Sequence, residues 1–170
     1  MRRIIVTQTG NNFVVGGHLK YELQMLIFAF YQRPKSTKGA LQNALLEVFL
    51  LHARNLLDFI RSKDGTIPQA RAFQTEIDRL GTGCQTFIRN HFSNICTYLS
   101  HPSDGRINGY DWSNQQIEIY NGIIQYYKQL FPIHNIDIDD LENKVKIAED
   151  CSDIEIIDIS SAPGSCNTVF

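Results

Sequence analysis

Apolar residues recur at helical spacing through most of this chain, and proline, glycine and capping residues mark the breaks between runs. The first run predicts a helix over residues 18–32, stopped ahead of Pro34 because a residue before proline is pushed out of the helical region. Residues 34–38 read as a loop. A second helix is predicted from Gly39 to Ser62. Leu41, Leu45, Leu46, Val48, Phe49, Leu50, Leu51, Leu56, Leu57, Phe59 and Ile60 occupy nearly every face of it, which places it at the centre of the fold.

Asp64-Gly65 marks a turn, and Thr66 with Gln69 has capping-box spacing, with Pro68 in the tolerated first turn. They open a short helix that ends near Leu80-Gly81. Thr82 and Gln85 repeat the spacing and open a third long helix to Ser100, with the stripe Cys84, Ile88, Phe92, Ile95 and Leu99. A loop follows from His101 to Asp111. Ser113 and Gln116 begin the fourth long helix, which reaches Phe131 and breaks at Pro132. Its stripe is Ile117, Tyr120, Ile124, Tyr127 and Phe131, widened by Ile119, Ile123, Tyr126 and Leu130.

Outside these runs the pattern changes. Residues 1–17 read as an extended arm, Val145 to Ile147 and Ile154 to Ile159 as extended segments, and residues 160–170 as a loose tail. Every predicted helix has an apolar face that needs covering. The chain is therefore expected to be all-α: an up-and-down bundle of four long helices plus one short helix over residues 18–131, with an irregular, acidic, partly extended segment over 132–170.

Composition narrows the function classes. With 170 residues, 43% hydrophobic and 20% charged, the chain suits one ordinary globular domain. The net charge of −2 hides an asymmetry. Residues 1–136 carry fourteen Lys/Arg against nine Asp/Glu, whereas residues 137–170 carry two against nine. A mildly basic body is suited to meet phosphate, and the acidic end to screen it or to stay solvated. No apolar run is long and uncharged enough for a membrane span. The four cysteines (84, 96, 151 and 166) form no CxxC pair, so reduced thiols and a cytoplasmic setting are expected. The five histidines show no HExxH or Cys/His metal spacing, and no glycine run makes a phosphate-binding loop. No metal or cofactor is expected.

The polar residues inside the second helix call for an explanation. His52, Arg54, Asn55 and Asp58 lie in a segment that otherwise reads as buried, and an unpaired buried charge costs several kcal/mol. Arg54 must reach a carboxylate, Asp58 being four residues on, or face a wet cleft. His101 closes the third helix, where the dipole favours a protonated ring, and Arg106 follows in the loop.

The run Leu51-His52-Ala53-Arg54-Asn55-Leu56-Leu57-Asp58-Phe59 resembles the "LHxRNLLDFF" helix of a group of small, uncharacterised, all-helical bacterial proteins. Ile95 to His101, with Arg106 five residues beyond, is similar to that group's "INKxVAHLTYxR" segment. Arg54, Asn55, Asp58, His101 and Arg106 fall on matching positions. Cys96-Thr97 departs from the Asn-Lys, and Pro102 to Gly105 from the Leu-Thr-Tyr. More distantly, a helical bundle with Arg and His resembles the HEPN superfamily, which includes RNA-cleaving toxins and nucleotide-binding partners. The nucleases of that superfamily place a His four to six residues beyond an Arg on one helix. Here no such His follows Arg54-Asn55, and Arg89-Asn90 is followed at once by His91.

Two readings follow. In the first, the chain is a structural or interaction domain, self-associating or bound to a protein partner, with an internal network of Arg54, Asp58, Asn55 and His52. In the second it is directed at RNA or nucleotide phosphate without metal, with ribonuclease action as its strongest form. His101 then moves the proton, Arg54 and Arg106 steady the phosphoryl oxygens, and Asn55 orients them.

Overall fold

The computed structural model describes residues 14–61, 70, 73–100, 112–130 and 136–147. The described chain enters through a π-helical turn at Val14–Leu19 and runs unbroken into α1 (Lys20–Gln32), with Leu19 already at φ −68° and ψ −34°. Val14 to Gly17 are thus helical and not part of the extended arm expected over residues 1–17. The physical reason is that a wound turn supplies carbonyl partners to the first N–H groups of α1, which an extended arm would leave open. Residues 1–13 lie outside the described residues.

Helix α1 buries Leu23, Leu26, Ile27 and Ala29. Its end is closed by backbone bonds from Arg33 N–H to Ala29 O and from Lys35 N–H to Gln32 O. Across the loop, the Gln42 side-chain amide donates to Ser36 O at 2.7 Å. That contact fixes the start of α2 (Gly39–Arg61), the longest helix among the described residues.

Two adjacent stripes of α2 are buried: Leu45, Phe49, His52, Leu56 and Phe59, and beside them Leu46, Leu50, Ala53, Leu57 and Ile60. One neighbour cannot cover both. Helix α1 packs along α2 most extensively, and α4 (Gly81–Ser100) and α5 (Trp112–Leu130) cover the rest. At the seam with α5, the fully buried Tyr127 hydroxyl donates to Leu56 O at 2.7 Å, and burial holds that phenol well above its usual pKa. The short α3 (Gln74–Arg79) follows the buried Phe73, whose ring meets Phe59 edge-on at 5.6 Å. Gly81, at φ +73°, makes the left-handed turn between α3 and α4, a conformation that costs glycine nothing.

The all-α bundle of four long helices and one short helix is present, and no strand occurs among the described residues. Three readings of detail change. On α4 the inward positions are Cys84, Ile88, His91 and Ile95, while Phe92 is only half-buried. Burial pushes the Cys84 thiol up to about 11. On α5 the buried face is centred on Ile119, Ile123, Tyr127 and Leu130 with Tyr120 and Ile124, and Ile117 is exposed. Ile117 and Ile119 lie some 200° apart on a helix and cannot both face the core.

The third change is a sixth helix, α6 (Ile138–Ile147), where Val145 to Ile147 were expected to be extended. The Asp137 carboxylate accepts the Asp140 N–H at 2.9 Å as its N-terminal cap. Asp139 and Asp140 lie in its first turn, and Lys144 and Lys146 in its last, matching the helix dipole. Ile138, Leu141 and Val145 bury its apolar face, and it packs on α1. The Tyr120 hydroxyl donates to Glu142, Lys128 pairs with Asp139, and Lys146 lies over the Tyr31 ring at 5.0 Å. Tyr120 is also stacked on Phe30, and burial together with Glu142 holds its hydroxyl far above the ordinary range.

Helices α4 and α5 approach closely at Gly122, where a Cβ would stand 2.3 Å from Phe87 Cζ. Phe87 is held there between His91 and Tyr126, with ring centroids 4.6 and 5.5 Å away. Alanine usually gains about 1 kcal/mol over glycine in a helix interior, but overpacking costs about 1–3 kcal/mol. Gly122→Ala is expected to lose about 1 kcal/mol in urea unfolding; a gain would contradict this packing.

Candidate functional site

Three polar constellations stand out from this frame. The first joins α1 to α2. His52 is buried, and its Nδ1 lies 2.7 Å from Glu22 Oε2. Asn55 Nδ2 donates to the same oxygen at 3.1 Å, and Tyr21 meets the imidazole edge-on at 5.6 Å. Glu22 is thus shared between the two residues of α2, which locks the register of the most extensive helix pair.

The internal network expected from the sequence is therefore different in membership. His52 and Asn55 belong to it, but Arg54 is exposed and Asp58 bonds Arg61 at 3.1 Å instead. The cause is helical phase. Leu51, Arg54, Asp58 and Arg61 follow one another at spacings of three and four residues and form the outward strip of α2. Leu51, at 43% exposure, is the apolar residue on that strip that made the helix read as buried all round. His101 and Arg106 lie outside the described residues, so their distance to Arg54 is not part of this geometry.

The second constellation joins α4 to α5. His91 is 5% exposed, and its Nε2 lies 3.2 Å from Glu118 Oε1, a carboxylate that is itself largely in solvent. With Phe87 against its ring, His91 fills core space and points one nitrogen outward.

The third is a cleft of about 450 Å³ lined by Arg61 of α2 and by Gln85, Ile88, Arg89, Phe92 and Ser93 of α4. The α4 residues recur at three- and four-residue spacing and so share one face of that helix. The Arg61 guanidinium lies over the Phe92 ring, with Cζ 4.1 Å from the centroid, while Nη2 donates to Asp58. A cation over a ring at an exposed site gains about 0.5–1 kcal/mol, and the surface ion pair adds little energy. Together they restrict where Arg61 can sit. Among the described residues Arg89 has no carboxylate partner. Two arginines from different helices, with a side-chain amide and a hydroxyl, form an anion-binding set. Among the described residues the lining has no carboxylate or imidazole, so what it offers a ligand is positive charge and hydrogen-bond donors rather than a proton carrier.

Glu22 and Arg61 were not singled out from the sequence, Phe92 was read only as core, and Arg89 entered only as an Arg-Asn pair followed at once by His91. Glu22 carried a signal as the sole acid of its helix, and Arg61 as the residue seven beyond Arg54. Phe92 gave none, since it lies in step with the apolar stripe. Among the described residues no group of three or more His, Cys, Asp or Glu is placed to hold a metal, and no helix is long and apolar enough to cross a membrane. Comparison with protein-family models, curated proteins and solved structures finds no match to this chain.

Removing a partner from a buried polar group costs about 1–3 kcal/mol, whereas surface changes stay within about 0.5 kcal/mol. Glu22→Ala is expected to destabilise the fold by the larger amount and Arg54→Ala by no more than the smaller. Thermal unfolding of the two variants beside the parent checks this; equal losses would return Arg54 to the interior.

Proposed function

We propose that this chain is a helical binding domain that holds a phosphate-bearing partner in the cleft between α2 and α4. The observation that carries the reading is that Arg61 and Arg89, from two helices, line one cleft with no acidic residue among its described lining residues. Phosphate is the anion whose oxygens best engage two guanidinium groups at once. The mildly basic balance of residues 1–136 favours approach of such a partner. The reading keeps the interaction-domain class and the cytoplasmic setting expected from the sequence. It moves the phosphate contacts from Arg54 and Arg106 to Arg61 and Arg89. Binding without cleavage is what the lining supports, because the ribonuclease alternative needs His101 as its proton carrier and no described group of the cleft takes that role.

The test is fluorescence anisotropy with a labelled twelve-unit abasic sugar-phosphate chain at low salt. Two phosphate contacts to a single strand predict a log–log salt slope of about −1.4. Arg61→Ala with Arg89→Ala is expected to lower affinity at least tenfold, while Arg54→Ala leaves it within twofold. Absence of binding, or equal loss in the Arg54 variant, would overturn the proposal.

A further inference from the structure

We propose, resting on that reading of the cleft, that Arg61 over Phe92 is a stacking platform and that the ligand is single-stranded nucleic acid rather than a bare polyanion. The phenyl ring covers one face of the guanidinium, whose Cζ is 4.1 Å from the ring centroid. Asp58 holds an edge of it through Nη2. The remaining face belongs to a side chain that is 54% exposed and lines the cleft. A planar, weakly hydrated cation with one face supported and the other open is the surface on which a nucleobase stacks.

A phosphate-only ligand needs charge and no such plane. A nucleotide needs both, close together. Arg89 precedes Phe92 by three residues on α4, about one helical turn or ~5 Å along the axis. The cleft therefore combines a stacking face with Arg89, which lies about a turn before Phe92 along the helix axis and has no carboxylate partner among the described residues. Its volume of about 450 Å³ lies within the range of sites for single small ligands. A duplex keeps its base faces inside its own stack and has nothing to lay on the platform, whereas an unpaired strand presents them freely. Aromatic and arginine stacking tolerates any base, so the strand is held without strict sequence preference.

The experiment compares three labelled probes on the unaltered protein: an unstructured twelve-nucleotide single-stranded RNA, the abasic chain of equal length, and the RNA annealed to its complement. The single strand is expected to bind at least fivefold tighter than either of the others. Arg61→Lys keeps the charge but removes the planar surface, so it should retain affinity for the abasic chain within twofold and lose the advantage of the bases. Phe92→Leu should do the same. Equal binding of single-stranded RNA and abasic chain would overturn the platform while leaving the phosphate site standing. Duplex binding as tight as single-strand binding would also overturn the platform. Binding of none of the probes would overturn both readings, and this comparison needs no variant to fold.

Discussion

Helix α2 carries apolar side chains on two adjacent stripes, and the fold is organised by the need to cover both. Phe49, Leu50, Leu56, Leu57 and Ile60 are fully or almost fully removed from water. Each such burial is worth about 1.5–3 kcal/mol relative to exposure. A single partner helix would leave one stripe wet, so α1, α4 and α5 close around it. The order of the chain follows from this. The loop at residues 34–38 folds α2 back along α1, and Gly81 makes the left-handed turn from which α4 returns to pack on α2.

The same constraint decides where polar groups can be. With two stripes committed to the core, the remaining strip of α2 faces out and collects Arg54, Asp58 and Arg61. At the border between core and surface, His52 is buried and needs a partner, which α1 supplies as Glu22. Farther along the same helix, the outward strip meets the face of α4 that carries Arg89 and Phe92, and the cleft forms there. The structural network and the cleft are thus two results of one helix's phase. They sit on different neighbours: α1 for the network, α4 for the cleft.

Much of this was legible beforehand. The helix end at Gln32 followed from Pro34, and the start at Gly39 and the central place of α2 from the breadth of the apolar pattern. The membership of the polar network was not, because Leu51 on the outer strip disguised the direction in which Arg54 points. Helix α6 was missed although Asp137 caps it and Ile138, Leu141 and Val145 have helical spacing. Five of its ten residues are charged, and contact with α1 and Tyr120 makes so short an apolar edge sufficient. The cleft depends on two helices far apart in sequence, and Phe92 gives no local sign that a guanidinium will lie over its ring.

The central claim is that Arg61, Phe92 and Arg89 form one ligand surface, distinct from the Glu22–His52 pair. The most direct measurement is an NMR titration that follows the arginine side-chain N–H signals and the aromatic and imidazole rings as single-stranded RNA is added. The account predicts that Arg61, Arg89 and the Phe92 ring shift together and saturate with one dissociation constant, while the His52 ring stays in place. Movement of Arg54 or His52 with Arg61 and Arg89 unchanged would contradict it.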